Sequence, residues 1–457
     1  MTALVVTGEQ KPDIRERGAV GLYVPGRGLY VSREEALAAL GPLPQALCAP
    51  LQPCRYELFV SVPPLGPQPN RRRYDVTLIG GAYRRGLLVS DSTRIPGLVS
   101  VDDIRETVSD LDHGRDPPIR FVAHDHPVAA IATLDRRLTN ARDAQLPATV
   151  ALGIVLISLA AASLVTRRAI VARAALLYPL VAILLALLVA AVDRVGSLTT
   201  AAVVAAAPLA FAVARLGRLR VVVPILVAAY GVALARWPET NALMAIGPNP
   251  WTGGRFYGVT NLVETVLLAP LLAAATAMRG WRIAALGLLG LVVVGASQTG
   301  ADGGGILVFA TAFVALWVLR AGRRFTWWSA GAVVAVALAA VALDALAGGS
   351  SHVVDAVTAG PATLFDHFTD RLDRSFSIVT STIGQLAGFA VSIVALVVLA
   401  TRRPRFATVD AFLIALAVSL LVNDSPTKVA GFGAMLCGAL RAWSVSRSRG
   451  LGIHSTP

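Results

Sequence analysis

The run LPATVALGIVLISLAAASLVT at residues 146–166 contains no charged side chain and separates two differently composed parts of the chain. About 20 consecutive apolar residues are needed for an α-helix to cross a bilayer. Further apolar runs follow at about 174–192, 198–214, 221–235, 257–277, 283–297, 305–319, 326–346, 381–400, 407–422 and 427–443. The pattern predicts a polytopic α-helical membrane domain of about eleven helices, residues 146–445.

The overall composition supports this prediction. Hydrophobic residues make up 55% of the 457-residue chain, and the mean hydropathy is +0.65. In a soluble protein, the formal net charge of +13 would suggest a nucleic-acid partner. Here the positive excess lies in arginines between apolar runs, so membrane lipids are the expected partners and nucleic acid is not.

Arginine clusters between the runs predict the orientation in the membrane. They follow every second run, at Arg167, Arg168, Arg173, Arg215, Arg218, Arg220, Arg279, Arg282, Arg320, Arg323, Arg324, Arg402, Arg403, Arg405, Arg441, Arg447 and Arg449. Basic connections stay in the cytoplasm. We therefore expect a bacterial inner-membrane protein with residues 1–145 outside and a cytoplasmic tail at 446–457. Because residues 1–30 lack the basic start and apolar core of a signal peptide, a leader segment is expected upstream.

Residues 1–145 have the pattern of a small α/β domain. Residues that favour strands cluster at 3–6, 56–62, 75–79, 87–90 and 119–122. Ser32 followed by Glu35 fits a capping box, and Ser100 is placed to cap a second helix. The His and Asp residues of 113–126 fit a polar surface loop better than a metal site, which needs a further separated ligand. Cys48 and Cys54 are compatible with a disulfide or with two free thiols.

Three polar segments interrupt the apolar half of the chain. The first, second and third polar segments are residues 247–264, 298–305 and 423–428, with the sequences GPNPWTGGRFYGVTNLVE, QTGADGGG and NDSPTK. On the predicted topology all three lie at the outer face, where they could meet. Irregular backbone at membrane depth is tolerated only where it is buried in protein or lines a wet cavity, and ionisable residues there are commonly functional.

Side chains from these segments form a candidate site. Asp302 and Asp424 are the candidate catalytic residues, as general bases, metal ligands or proton carriers. The candidate substrate-binding residues are Arg255, Asn261, Glu264, Asn423 and Lys428. The arginine and the lysine suit a phosphate or carboxylate group. The alternative is a set of helix caps with a structural Asp–Lys ion pair. The sequence assigns no metal and leaves any cofactor unknown.

The segments GRFYGVTN at 254–261, GADGG at 300–304 and VNDS at 422–425 resemble a family of large multi-pass proteins from actinobacteria and related bacteria. In that family an outer domain related to the alkaline phosphatase superfamily precedes the membrane helices. The resemblance implies a degenerate outer domain of this type, because residues 1–145 lack a recognisable nucleophile and metal-site set. Thr260 and Leu262 stand where the family pattern has Gly and Glu.

The expected function is that of an integral membrane protein whose outward-facing polar site binds or acts on an anionic envelope component. A lipid-linked phosphate or glycan is the expected ligand class, and whether the chain is an enzyme stays open. One alternative is a proton- or cation-coupled transporter, in which Glu264, Asp302 and Asp424 carry the ions. The other is a non-catalytic membrane scaffold.

Overall fold

The structure is a computed structural model that describes residues 2–7, 10, 12–26, 30–41, 55–70, 72–252, 255–348, 369, 372–373 and 375–450. Cys48 and Cys54 lie outside these residues. The chain divides into two compact units. Unit 1 comprises Met1–Ala144 and Pro238–Tyr257, and unit 2 comprises Gln145–Trp237 and Gly258–Pro457. Unit 1 therefore includes a segment from the apolar half of the sequence.

Unit 1 contains a mixed six-stranded sheet with the order β1-β4-β6-β2-β7-β8. The strands are β1 (Thr2–Thr7), β2 (Ala19–Tyr23), β3 (Tyr30–Val31), β4 (Tyr56–Ser61), β5 (Gln68–Pro69), β6 (Tyr74–Gly80), β7 (Gly86–Ser90) and β8 (Ile119–Ala123). β1 with β4 and β2 with β7 pair in parallel; the other pairs are antiparallel, including the small β3–β5 ribbon. The five predicted strand regions are confirmed.

The helices in the N-terminal part of unit 1 are α1 (Pro12–Arg17), α2 (Arg33–Leu40) and α3 (Val101–His113). Both predicted N-caps are present. Ser32 Oγ accepts from the Glu35 backbone N–H, and Ser100 Oγ accepts from that of Asp103, at 3.1 Å in each case. Buried side chains from the sheet and α3 form the hydrophobic core, including Tyr23, Leu58, Val76, Leu88 and Ile104.

Helices dominate the rest of the chain. They are α4 (Pro127–Thr166), α5 (Ala169–Ala191), α6 (Ser197–Leu216), α7 (Leu219–Arg236), α8 (Pro238–Ala242), α9 (Asn261–Ala275), α10 (Trp281–Gly295), α11 (Gly303–Arg320), α12 (Trp327–Leu346), α13 (Ile383–Thr401), α14 (Ala407–Val422) and α15 (Pro426–Gly450). The short helix α8 belongs to unit 1. The predicted charged helix at 128–145 and the first apolar run form one continuous helix, α4.

The number of helices of spanning length differs from the eleven predicted. In the described part of the chain, eight helices are long and apolar enough to cross a membrane: α4, α5, α6, α7, α11, α12, α13 and α15. Three further apolar helices, α9, α10 and α14, have only 15, 15 and 16 residues. They are short because each begins or ends beside a polar segment, where the backbone leaves the helical conformation.

Helix α9 lies at the centre of unit 2. All of its residues, from Asn261 to Ala275, are buried, and it packs against α7, α11 and α15 among others. At its C-terminal end the Arg320 Nη1 atom donates to the Ala275 carbonyl at 2.9 Å. The Arg447 Nη1 atom donates to Thr276 Oγ1 at 2.6 Å. Two cations thus stabilise the negative end of the helix dipole.

Candidate functional site

Parts of all three polar segments meet in unit 2, where α9 and α11 begin and α10 and α14 end. The Val259 N–H donates to the Gly300 carbonyl at 2.9 Å and joins the first segment to the second. Gly258 has φ +87, and a side chain at this position would collide with the Gly300 backbone. Only glycine combines this backbone conformation with so close an approach. The predicted convergence therefore holds for residues 258–264, 300–305 and 423–424.

Glu264 is the most deeply buried acid at this meeting point, with 0% of its surface exposed. Its Oε2 atom accepts from Asn423 Nδ2 at 2.9 Å, and its Oε1 atom accepts from Ser419 Oγ at 3.4 Å. Asn423 Nδ2 also contacts Ser419 Oγ at 2.8 Å. A carboxylate this deep in the protein needs such partners, since burying it without them would be very costly.

Asp302 approaches the same asparagine from the start of α11. It is 3% exposed, and its backbone N–H donates to the Val294 carbonyl at 3.0 Å. Gly304 separates the two side chains. The position that a Cβ of Gly304 would occupy lies 2.5 Å from Asn423 Oδ1 and 3.5 Å from Asp302 Oδ1. The absence of a side chain at Gly304 therefore lets the amide and the second carboxylate come together.

A second pairing lies beside the first, one turn nearer the start of α9. Asn261 Nδ2 donates to Asp424 Oδ1 at 2.8 Å, and Ser425 Oγ contacts the same oxygen at 3.3 Å. Asn261 is buried, whereas Asp424 is exposed. Adjacent residues at the end of α14 therefore bind residues three apart on α9. We call Asn261, Glu264, Asp302, Ser419, Asn423 and Asp424 the carboxylate cluster.

Two further predicted binding residues are Arg255 and Lys428. Arg255 belongs to unit 1. Lys428 is exposed on the first turn of α15, and its charge interacts with that of Asp424, although no carboxylate in the described part of the chain lies within ion-pair distance of it. The carboxylate cluster itself consists of carboxylates, amides and a hydroxyl. Such groups are better ligands for a proton or a hard cation than for an anion.

Sequence reasoning missed three polar residues at or near the cluster. Ser419 lies within an apolar run, although its spacing of four from Asn423 places both on one helical face. Ser375, in the helical stretch 375–380, donates from Oγ to the Asn423 carbonyl at 3.1 Å. Asp344 accepts from the Ser297 backbone N–H at 2.9 Å and from its hydroxyl, which anchors the chain just before the second polar segment. The sequence could have indicated Asp344, because it is an acid within an apolar run.

Among the described residues, no group of three or more His, Cys, Asp or Glu side chains has the arrangement of a metal site. His113 Nδ1 contacts the Ser109 carbonyl at 2.7 Å, and His124 Nδ1 accepts from the His126 backbone N–H at 3.1 Å. Both histidines are exposed.

Comparison with known proteins gives no match, whether to a protein family, to a curated protein or to a solved structure. The resemblance to the actinobacterial multi-pass family stays a prediction. The functional argument therefore rests on the chemistry of the carboxylate cluster.

Proposed function

We propose that unit 2 is the membrane domain of a bacterial inner-membrane transporter and that its carboxylate cluster binds the proton or cation that drives transport. Eight helices of spanning length and the alternation of arginine clusters support the membrane placement. On this topology the cluster faces the outside and the C-terminal tail lies in the cytoplasm.

Helix lengths support a cluster inside the bilayer rather than at its surface. The 15 residues of α9 span about 22 Å at 1.5 Å per residue, whereas the hydrocarbon core is about 30 Å thick. One end of α9 lies at Arg320 and Arg447, which belong to the predicted cytoplasmic arginine clusters. The cluster at the other end then lies several ångströms below the outer boundary of the hydrocarbon. Broken helices around a polar site at this depth are typical of secondary transporters.

The observation that carries the proposal is the position of Asn423 between two buried carboxylates. Its amide donates to Glu264, and its carbonyl oxygen lies beside Gly304 together with Asp302 Oδ1. Buried carboxyl groups beside an amide and a hydroxyl are the oxygen ligands that suit a proton or a hard cation. The entry and release of that ion give the site two states.

The exposed Asp424 supplies a first acceptor on the route to the buried acids. It is hydrogen-bonded to Asn261, and Glu264 lies three residues further along α9. An ion therefore passes from an exposed carboxylate to a buried one over about one helical turn. Chains of acids of this kind mark ion pathways in membrane proteins.

The expectation of an anionic envelope component as ligand stays a prediction. It depends on Arg255 of unit 1 and on Lys428, whose charge interacts with that of Asp424. The carboxylates of the cluster favour a cation as their own ligand.

Ion flux tests the proposal. Full-length protein is reconstituted into liposomes that contain a pH-sensitive or a sodium-sensitive dye, and an ion gradient is imposed. We expect wild-type protein to carry protons or sodium ions faster than protein-free liposomes do, and Glu264→Gln to abolish the difference. Wild-type flux equal to that of empty liposomes for protons, sodium and potassium would contradict the proposal.

A further inference from the structure

A cavity of about 240 Å³ lies at the opposite end of unit 2 from the carboxylate cluster, where α10 begins and α11 ends. Its lining consists of Arg279, Gly280, Ile283, Trp317, Arg320 and Ala321. The cavity is separate from the carboxylate cluster. Its residues combine two cations with an aromatic ring at a predicted membrane boundary.

The two arginines give the cavity a positive charge without a matching acid. No lining residue is acidic, and in the described part of the chain neither Arg279 nor Arg320 makes an ion pair with a carboxylate. Arg320 is anchored through its Nη1 atom to the Ala275 carbonyl. Because a guanidinium has five N–H groups, the other donors remain for a ligand. Arg447 adds positive charge nearby through its bond to Thr276.

The same two helices also expose an apolar surface. Trp317 is 68% exposed and lies one turn before Arg320 on α11. Trp281, Leu288 and Val292 are exposed along α10. Tryptophans are enriched at membrane interfaces, where one side of the ring meets acyl chains and the other meets head groups. A ligand that fills the cavity and covers this surface is therefore an anion with hydrocarbon attached.

We propose that this cavity binds the phosphodiester head group of an anionic phospholipid from the cytoplasmic leaflet. Arg279 and Arg320 hold the phosphate oxygens, and Trp317 packs against the glycerol and the first acyl carbons. Basic pockets between membrane helices on the cytoplasmic side suit such head groups. The inference rests on the membrane placement proposed above but not on ion binding at the carboxylate cluster.

Lipid retention by purified full-length protein tests this inference. Protein in mild detergent is mixed with equal amounts of phosphatidylglycerol and phosphatidylcholine, and bound lipid is counted by native mass spectrometry. Arg279→Gln removes one phosphate ligand and leaves the Arg320–Ala275 bond intact. The matched control is Arg323→Gln, an exposed arginine that follows the cavity on the same side.

We expect wild-type protein to prefer phosphatidylglycerol and Arg279→Gln to weaken its binding about tenfold, the effect of losing one charge-assisted hydrogen bond. Arg323→Gln should bind it within about twofold of wild type, because a surface charge contributes little. Equal retention of the two lipids by wild-type protein, or equal losses in the two variants, would overturn the inference. A third arm adds inorganic phosphate alone. If phosphate binds as tightly as phosphatidylglycerol, the occupant is a soluble anion and the lipid assignment is wrong.

Discussion

The Asn423 side-chain amide donates to the Glu264 carboxylate at 2.9 Å, between the end of α14 and the first turn of α9. The two residues are 159 positions apart in the chain, and both are buried. This hydrogen bond connects the first and third polar segments, and Asp302 Oδ1 of the second segment and Asn423 Oδ1 both lie beside Gly304. The local stability of unit 2 and the proposed ion binding therefore both depend on it.

Replacement of Asn423 tests the structural role of this bond. Asn423→Ala removes a donor at 2.9 Å from the buried Glu264, and removing one partner of a buried hydrogen bond costs about 1–3 kcal/mol. We expect a lower thermal unfolding midpoint in detergent and loss of ion flux. Ser419→Ala is the comparison variant. It loses the longer bond to Glu264, at 3.4 Å, and the contact with Asn423, but it keeps the Asn423–Glu264 bond, so this substitution should cost less. A larger loss of stability in Ser419→Ala than in Asn423→Ala would contradict this role.

Substitution of Gly304 gives a second test, because glycine has no side chain and so leaves room for Asn423 Oδ1. In Gly304→Ala the new methyl group would lie 2.5 Å from that oxygen, so the amide must leave its present position. We expect ion flux to fall at least about tenfold, since misplacing a binding group by about 1 Å costs far more than that in well-ordered sites. Flux assays and unfolding midpoints of the purified variant provide the measurement.

The matched control for Gly304 is Gly331, which lies within α12 and has no heavy atom within 4 Å of the position that an alanine Cβ would occupy. Gly331→Ala should be neutral or slightly stabilising, because alanine favours a helix interior by about 0.5–1 kcal/mol over glycine. Equal losses of flux in Gly304→Ala and Gly331→Ala would show that crowding beside Asn423 is not the cause.

The N-cap of α3 allows a prediction about the stability of unit 1. Ser100 Oγ accepts from the Asp103 N–H at 3.1 Å, and the Asp103 carboxylate accepts from the Ser100 N–H at 3.3 Å. Ser100→Ala should destabilise the helix by about 1 kcal/mol. Amide hydrogen exchange of α3 peptides in the full-length protein should accelerate severalfold. Ser109→Ala, in the exposed part of the same helix, should leave exchange at the helix start unchanged.

Alkaline pH should destabilise unit 1 through Tyr83. Burial raises the pKa of Tyr83 from its usual value near 10 to about 12, and the neighbouring Tyr56 adds to the shift. The Tyr83 hydroxyl donates to the Ile119 carbonyl. Because the folded-state pKa is the higher one, this stabilisation is complete below about pH 10 and is lost as the pH rises towards 12. Over this range the protection of β7 and β8 peptides against hydrogen exchange, relative to the unfolded peptides at the same pH, should fall in wild-type protein, and the fall should be smaller in Tyr83→Phe.

The sequence was sufficient to predict the helical class, the N-terminal strands and both N-caps, because these depend on local patterns. Glycines and acids in three polar segments also predicted their convergence, since polar groups in an apolar region must find one another. Helix count was harder to predict. The run at 257–277 contains the bends at 257–260, so α9 begins only at Asn261, and composition alone does not show where the backbone leaves a helix.

Pairing within the cluster could not be predicted. The sequence suggested Arg255 and Lys428 as ligands of a bound anion, with an Asp–Lys ion pair as the alternative. It did not indicate that the amides Asn261 and Asn423 bind Asp424 and Glu264. Which neutral group satisfies a buried acid depends on the packing of α9 against α14, a contact between distant parts of the chain. The contact of Ser419 with Glu264 likewise depends on the packing of α9 against α14.

The most direct test of the central claim is the initial rate of ion uptake by Glu264→Gln, in liposomes with equal amounts of inserted protein. The matched control is Asp193→Asn, an exposed acid between α5 and α6 with φ +53, a conformation that asparagine accepts. We predict less than about one tenth of the wild-type rate for Glu264→Gln, because a neutral amide cannot carry the ion, and a rate within about twofold of wild type for Asp193→Asn. Wild-type uptake by Glu264→Gln would contradict the assignment of this carboxylate as the ion carrier.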